Sequence, residues 1–286
     1  MQEFWDSYKN RVNEKIGSYF NIQNKLIDSM TYSLLAGGKR FRPVVSGASA
    51  YALGEDPQKV LDYGLAIEFI HTYSLIHDDL PGMDDSDLRR GKLSNHRKFG
   101  EGIAILAGDS LLTEAFFILS QLKFPASNKI RLLELVAKCS GYMGMCGGQL
   151  LDLEMSKVES TCEDLLLISN LKTAALIEAC VLGPAYLFEA SEEKIEALNI
   201  YSKNIGVVFQ MVDDLLDVTG DKNNLGKDTG KDAKNCKKTF PELLGVDGTR
   251  KLIEERYEKA IRALDIFDEK KKYLHEIARF IVERDR

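Results

Sequence analysis

Two clusters of aspartate are the features of this sequence best suited to carry chemistry. Residues 78–85 read Asp-Asp-Leu-Pro-Gly-Met-Asp-Asp, in a first cluster from Asp78 to Asp87, and the second cluster runs from Asp213 to Asp221. Clustered carboxylates repel one another unless a cation lies between them. Mg²⁺ takes oxygen ligands, typically one or two carboxylates together with substrate phosphates and waters. Two such clusters facing each other are expected to hold several Mg²⁺ ions against one diphosphate.

The second cluster has helical spacing. Asp213 and Asp217 are four residues apart and Gln210 lies about one turn earlier, so the three share one side of a helix. Either cluster alone is also compatible with a solvated acidic helix end or a helix cap. A calcium-binding EF-hand loop does not fit, because it requires glycine at its sixth position and glutamate at its twelfth. Two similar clusters in one chain favour metal binding.

The elements that must position these clusters are predicted to be helices. Apolar residues recur at three- and four-residue spacing along almost the whole chain. The predicted helices cover residues 3–16, 22–36, 41–53, 58–78, 101–122, 127–150, 162–190, 192–219, 248–267 and 270–284. Gly183 and Pro184 should kink or break the helix that contains them. No convincing two-residue alternation argues for a sheet, so we predict an all-α fold, a single large helical bundle.

Composition excludes several classes of protein. The 286-residue chain has a formal net charge of -6, whereas a non-specific nucleic-acid binder is normally basic. No Cys-x-x-Cys pair occurs among the cysteines, so we expect reduced thiols in a cytoplasm rather than disulfides or a zinc site. No signal peptide is apparent, and no uninterrupted apolar run of about 18 residues predicts a membrane span. One domain covering residues 1–286 is expected.

Three segments rich in glycine or charge separate the predicted helices, at residues 37–43, 81–102 and 220–241. Loops on a rigid scaffold often carry function. The first segment reads Gly-Gly-Lys-Arg-Phe-Arg-Pro, and the second contains Leu-Arg-Arg-Gly at residues 88–91. Each is also compatible with a solvated turn, and His71 alone is more often a core histidine than a ligand. A functional role for these residues is favoured because they occur together with the aspartate clusters.

With these motifs the chain resembles the trans-prenyltransferase family of isoprenoid synthases, with the closest likeness to bacterial farnesyl diphosphate synthases. The first aspartate motif carries the two-residue insertion, and residues 209–217 read Phe-Gln-Met-Val-Asp-Asp-Leu-Leu-Asp. Further matching stretches are residues 37–43, 88–91, 105–109, 147–153 and 172–173. The likeness covers nearly the whole chain. Three positions depart from the usual family pattern, namely Phe41, Ala174 and Cys236, and none of them removes a charged group.

The resemblance implies a role for each matching residue. Isopentenyl diphosphate would be bound by Lys39, Arg42, His71 and Arg90. Mg²⁺ would be bound by Asp78, Asp79, Asp84, Asp213 and Asp217. The allylic diphosphate would lie among Arg89, Lys172, Thr173, Gln210, Lys227 and Lys237. Direct catalytic roles would fall to Asp78, Asp79, Asp84, Arg89, Lys172, Asp213 and Lys227.

The fold implied is a helical bundle of the isoprenoid synthase type with a central substrate cavity. The implied reaction joins isopentenyl diphosphate to an allylic diphosphate by ionisation, condensation and elimination, with three Mg²⁺ ions in each active site. A cytoplasmic homodimer is also implied. The product is expected to be farnesyl diphosphate, because Tyr73, five residues before Asp78, resembles the aromatic of farnesyl-making bacterial members and would form the floor of the product pocket. Ser74 is small and leaves room, and Tyr73 is alternatively a core aromatic that faces elsewhere.

Three other functions remain alternatives. A geranylgeranyl diphosphate synthase differs only in product length. A terpene cyclase shares the fold and the first aspartate motif, but its second metal motif normally combines Asn, Ser or Thr, and Glu, whereas this chain has Asp-Asp-Leu-Leu-Asp. A non-catalytic subunit should have lost an aspartate motif, and this chain retains both.

Overall fold

The computed structural model describes residues 1–155, 160–219 and 238–284, and within these ranges the fold is all-α. The helices of the first part are α1 Gln2–Tyr19, α2 Lys25–Leu34, α3 Phe41–Ala52, α4 Leu61–Asp78, α5 Asn95–Phe99 and α6 Glu101–Ser120. A 3₁₀ turn at Pro57–Val60 precedes α4. Two short antiparallel strands, β1 Leu88–Arg89 and β2 Lys92–Leu93, form a hairpin that the sequence did not predict.

The second part of the chain is also helical. Its helices are α7 Ala126–Ser140, α8 Met145–Met155, α9 Cys162–Ile168, α10 Ala175–Leu187, α11 Glu192–Thr219, α12 Phe240–Ala263 and α13 Lys272–Glu283. A π-helical segment, Ser169–Ala174, joins α9 to α10, and a 3₁₀ segment, Leu264–Lys271, joins α12 to α13.

Contacts between Cα atoms group the residues into two compact units. Unit 1 comprises Met1–Gly47 and Asp56–Lys129, and unit 2 comprises Ala48–Glu55 and Ile130–Arg286. In unit 1, α4 packs against α6, α1 and α2. The helix α4 is apolar on nearly all sides, and Leu65, Ile67 and Phe69 are at most 1% exposed. A helix of this composition forms a core, and its C-terminal end presents the first aspartate cluster.

Unit 2 is built around α11, which packs against α10 and α12. Its buried residues include Tyr201, Ile205, Val208 and Met211, which recur every three or four positions along one stripe. The second aspartate cluster begins directly after this stripe, on the last turns of α11.

Several predicted boundaries are corrected by the structure. Residues 127–150 form two helices, because the glycine-containing stretch 141–144 separates α7 from α8. The expected break at Gly183 and Pro184 does not occur, since α10 runs through both residues. Helical structure begins at Phe240, ahead of the predicted start at 248, and the Thr239 amide donates to the Glu242 side chain at 3.1 Å there. The helix is kinked at Gly245, whose φ is 71°, so the regular stretch that follows lies close to the predicted helix.

Two helical stretches are long and apolar enough to cross a membrane by length and composition alone, Glu101–Ser120 and Cys162–Leu187. Their apolar windows are 39% and 56% buried, respectively. This is weak evidence for a membrane span, because the core helices of globular proteins pass the same test.

Candidate active site

The first aspartate motif closes back on the end of α4. The Asp84 amide donates to the Asp78 carbonyl at 2.9 Å, and the Ser86 amide donates to the Asp79 carbonyl at 3.2 Å. These bonds return the loop to the last turn of the helix, so Asp78 and Asp84 lie at the same helix end. The sequence predicted both as metal ligands, and the structure brings them together.

Asp79 has a different environment from its neighbours. It is 2% exposed, and its carboxylate accepts hydrogen bonds from Arg89 Nε at 3.0 and 3.2 Å. Burial raises the pKa of the Asp79 carboxyl, and Arg89 opposes that shift. Arg89 belongs to β1, so the hairpin places this guanidinium beside the aspartate motif. Asp79 therefore orients Arg89 at the site.

Two carboxylates at one helix end match the usual way in which proteins bind Mg²⁺. Within residues 1–155, 160–219 and 238–284, no group of three or more His, Cys, Asp or Glu side chains could hold a metal ion. Mg²⁺ usually retains waters and takes one or two carboxylates together with substrate phosphates. The pair formed by Asp78 and Asp84 fits that pattern.

Positively charged groups gather two turns earlier along α4, around His71. Burial and the charges of Arg42, Arg90 and Arg89 lower the pKa of His71 well below its ordinary value. His71 is therefore neutral near pH 7 and can offer a hydrogen bond but no charge. Such a concentration of guanidinium groups around a neutral ring is suited to a multiply charged anion.

The turn between β1 and β2 holds Arg90 in this cluster. Arg90 adopts a left-handed backbone conformation with φ 54°, and its guanidinium donates to the Gly37 carbonyl. A Cβ atom on Gly38 would lie only 2.7 Å from Arg90 Nη1. The two glycines before Lys39 therefore allow Arg90 to lie directly against the backbone, which the sequence motif did not reveal.

A cavity of about 20 Å³ lies beside these groups within unit 1. Its lining includes Thr72, Asp79, Arg89, Arg90 and Asn95. That volume suits about one water molecule and no hydrocarbon chain. The predicted central substrate cavity remains a prediction.

In unit 2 the predicted allylic residues lie on and beside the π-helical segment. Lys172 Nζ is 2.6 Å from Asp152 Oδ2 on α8. The backbone of α8 at Gly148 lies very close to the backbone of the π-helical segment. A Cβ atom on Gly148 would lie 2.2 Å from the Lys172 amide nitrogen. A π-helical turn often marks a functional site, and here it presents Lys172 and Thr173 towards neighbouring helices.

Thr173 begins a chain of hydrogen bonds to the second aspartate motif. Its hydroxyl is 3.1 Å from Gln210 Oε1, and Gln210 Nε2 donates to Asp214 Oδ1 at 2.9 Å. The other oxygen of Asp214 accepts from the Phe240 amide at 3.2 Å, at the start of α12. Asp214 is buried and both of its oxygens are bound to protein groups, while the role of Asp213 and Asp217 as metal ligands stays a prediction.

Asp213 is bound by an arginine that the sequence analysis missed. Arg284 Nη2 is 2.7 Å from Asp213 Oδ1, and the same nitrogen donates to the Phe209 carbonyl at 2.7 Å. The guanidinium also lies 4.0 Å from the centre of the Phe209 ring. Asp217 lies one turn further along α11 and is partly exposed. No local sequence signal relates residue 284 to residue 213, so only the folded chain reveals this pair.

Gln149 is a second residue that the sequence analysis left without a role. It is 9% exposed, and neither Oε1 nor Nε2 has a hydrogen-bond partner within the described part of the chain. Gln149 is three residues before Asp152 on α8, so the two share one side of that helix. A buried amide without partners is costly, and a polar group from a ligand would remove that cost.

The predicted chain-length residues lie on the last turns of α4. Tyr73 is buried, and its ring meets the His77 ring edge-on at a centroid distance of 5.8 Å. Ser74 donates its hydroxyl to the His71 carbonyl at 2.9 Å and is partly exposed. Lys39 is exposed at its turn. The predicted residues Lys227 and Lys237, and the departure at Cys236, lie outside the described residues.

Comparison with known proteins decides the family. The sequence pattern of the family described as Polyprenyl synthetase matches residues 10–277. The chain belongs to the polyprenyl synthetase family. This confirms the resemblance that the aspartate motifs and basic segments had indicated.

Relatives of this polyprenyl synthetase extend over its whole length. It is 40% identical over 280 residues to the farnesyl diphosphate synthase of Micrococcus luteus, covering 98% of this chain and 96% of that one. It is also 40% identical to the Bacillus subtilis farnesyl diphosphate synthase, covering 100% and 98%. A geranylgeranyl diphosphate synthase of Cyanophora paradoxa is 44% identical, covering 91% and 88%.

Solved structures of the same family confirm the all-α isoprenoid synthase fold. A geranylgeranyl pyrophosphate synthetase of Pyrococcus horikoshii matches with a TM-score of 0.90 and 33% identity, covering 99% of both chains. A geranyltransferase of Helicobacter pylori, complexed with magnesium and isoprenyl diphosphate, matches with a TM-score of 0.85 and 29% identity, covering 98% and 95%.

Proposed function

We propose that this polyprenyl synthetase is a prenyltransferase that makes farnesyl diphosphate. It condenses isopentenyl diphosphate with dimethylallyl diphosphate and then with geranyl diphosphate. The main support for the proposal is that α4 carries two sites suited to a diphosphate. The C-terminal end of α4 presents the carboxylates of Asp78 and Asp84, which can hold a diphosphate through Mg²⁺. Two turns earlier, α4 carries His71 with the cationic cluster around it. One substrate diphosphate is expected at each site.

The allylic substrate ionises when its C–O bond breaks and its diphosphate leaves. When bound, Mg²⁺ acts as a Lewis acid that neutralises the charge on this leaving group. Asp78, Asp79, Asp84, Asp213 and Asp217 are proposed to hold it, with three ions in each active site. Arg89 and Lys172 add positive charge at positions that the fold fixes, which costs no reorganisation during the reaction, and Lys227 is proposed to add a further charge.

Several polar groups are proposed to surround the allylic substrate as it ionises. Thr173 and Gln210 are already joined by a hydrogen bond, and Lys237 adds a charge. The amide of Gln149, which has no hydrogen-bond partner among the described residues, would gain a partner there.

Isopentenyl diphosphate binds without metal in the proposed mechanism. Arg42 and Arg90 offer forked donors to its phosphates, Lys39 offers a point charge, and neutral His71 offers a hydrogen bond. The double bond of this substrate attacks the allylic carbocation and forms the new C–C bond. The resulting cation then loses a proton to the released diphosphate, so no protein base is required.

Farnesyl diphosphate is favoured over geranylgeranyl diphosphate as the final product. The farnesyl diphosphate synthases of Micrococcus luteus and Bacillus subtilis align over almost all of both chains. The buried ring of Tyr73, one turn before the aspartates, supplies a steric limit. A second candidate is geranylgeranyl synthesis, favoured by the 44% identity to the Cyanophora paradoxa enzyme.

The proposed function is tested by product analysis. The purified chain is incubated with dimethylallyl and isopentenyl diphosphates and Mg²⁺, and the dephosphorylated products are separated by chromatography. Farnesol should dominate, and omission of Mg²⁺ with added chelator should abolish it. A dominant twenty-carbon alcohol would identify the alternative, and no condensation product would refute the prenyltransferase proposal.

The two diphosphate sites should respond differently to substitution. Arg42→Ala should raise the KM for isopentenyl diphosphate more than the KM for the allylic substrate. Lys227→Ala should raise the allylic KM or lower kcat, because its charge is proposed to meet the ionising group. Initial rates with each substrate varied in turn provide the measurement. If both variants alter both KM values equally, the assignment of the two sites is wrong.

A homodimer is proposed from an exposed apolar face on α6, and a cytoplasmic location stays a prediction from the sequence. Leu106 and Phe117 are each 56% exposed, and they lie eleven residues apart, which places them on the same side of a helix. Ile105 adds a further 44% exposed apolar side chain. A second copy of the chain would cover this face in a self-complementary interface.

Disruption of this face should yield monomers. Phe117→Glu places a charge in the proposed interface and should halve the mass measured by light scattering. Ile22→Glu is the matched control, because Ile22 is 68% exposed outside α6. A wild-type chain that is already monomeric, or a Phe117→Glu dimer, would contradict the proposed interface.

A further inference from the structure

Arg40 and Glu68 form a buried ion pair among the cationic groups of unit 1. Neither residue was predicted to bind a diphosphate. Arg40 Nη1 is 2.7 Å from Glu68 Oε1, and both side chains are 2% exposed. Arg40 Nε also donates to Asn13 Oδ1 at 2.8 Å, and Nη2 donates to the Leu34 carbonyl. One guanidinium is therefore bound to α1, to the last residue of α2, and to α4.

The pair connects two of the three elements that carry the proposed ligands of isopentenyl diphosphate. Arg40 lies between Lys39 and Arg42 and has a left-handed backbone conformation with φ 51°. That conformation is uncommon for a residue other than glycine and persists where surrounding contacts determine it. Glu68 lies on α4 three residues before His71, on the same side of the helix. The ion pair thus fixes the basic turn relative to the helix stripe that carries His71.

The charge of Glu68 also reaches the neighbouring arginines. Burial lowers the pKa of Arg90, and the negative charge of Glu68 opposes this shift. A buried carboxylate without a cationic partner is strongly unfavourable. If Arg40 were removed, the Glu68 carboxylate would attract another nearby guanidinium, and Arg90 lies within its field.

We propose that Arg40 and Glu68 are positioning residues for the isopentenyl diphosphate site. Arg40 holds the turn that presents Lys39 and Arg42, and it neutralises Glu68 so that this carboxylate does not pair with Arg90. Neither residue touches the reacting atoms. The inference rests on the proposed function, since it concerns one of the two proposed diphosphate sites.

A comparison of single and double variants tests this role. Arg40→Met leaves Glu68 uncompensated, and it should raise the KM for isopentenyl diphosphate about tenfold while changing the allylic KM less than about twofold. Adding Glu68→Met removes the competing carboxylate and should restore most of the lost affinity for isopentenyl diphosphate. The double variant should also regain stability, because it no longer buries an unpaired charge, so the split between the two KM values is the readout that a merely structural role does not produce.

Controls separate this effect from a general loss of stability. Tyr201→Phe removes a buried hydrogen bond of 2.7 Å to the Leu274 carbonyl in unit 2, and it should lower Tm without splitting the two KM values. If Arg40→Met does not fold, Arg40→Lys is used instead, because it keeps the charge but loses the several donors of the guanidinium. Arg40→Lys should raise the KM for isopentenyl diphosphate selectively, by a smaller factor. The proposal is overturned if both KM values change alike, or if the double variant is no better than Arg40→Met. A wild-type chain that forms no condensation product would instead refute the proposed function.

Discussion

Replacement of Asp78 by alanine should lower kcat by about 10²–10³ while helix content and Tm stay close to wild type. Removal of a single electrostatic partner of a developing charge typically costs that much. Asp78 ends α4, and the backbone bond from Asp84 brings a second carboxylate to the same helix end. Steady-state rates at saturating Mg²⁺ and circular dichroism of the same samples provide the measurement. Asp84→Ala should behave similarly.

Asp87→Ala is the matched control for this experiment. Asp87 belongs to the same acidic loop, but its carboxylate is exposed and pairs with Arg97. Exposed ion pairs contribute little to stability, so this variant should keep wild-type activity. If Asp78→Ala and Asp87→Ala both retain activity, the first cluster is an ordinary acidic loop and the proposed metal site is wrong. If both lose activity, the effect belongs to loop charge in general rather than to Asp78.

The parts of the site that the sequence predicted are those with local signals. Asp78 and Asp84 share one short motif, and Asp213 and Asp217 share one helical stripe, so spacing alone indicates joint action. The helices that carry them follow from apolar periodicity. The break between α7 and α8 was missed although Gly141 lies in it, because apolar spacing continues across the gap.

The parts that the sequence did not predict depend on pairs distant in the chain. Arg40 and Glu68 are 28 residues apart, and Arg284 reaches Asp213 across an even longer separation. Which of many charged residues meet is decided by tertiary packing, for which one sequence offers no local pattern. The π-helical segment was missed for a related reason: its apolar periodicity differs little from that of the helices on either side.

The structure gives the ring of Tyr73 a defined position on α4. Its neighbour His77 has Nε2 3.1 Å from the Ile105 carbonyl on α6. A Cβ atom on Gly108 would lie 2.1 Å from the same nitrogen, so α6 approaches α4 closely at this point. Tyr73 is one turn before His77 on the same side of α4, and its ring is buried and in contact with the His77 ring.

Tyr73→Ala should accordingly shift the product from fifteen carbons to twenty or more, with the first condensation little changed. Removing a buried ring leaves a cavity along α4 that another isoprene unit can fill, and it should also lower stability by about 3–5 kcal/mol. Chromatography of the dephosphorylated products and thermal unfolding measure the two effects. Tyr73→Phe keeps the ring and should still make farnesyl diphosphate. If Tyr73→Ala is folded and also stops at fifteen carbons, another residue forms the floor of the pocket.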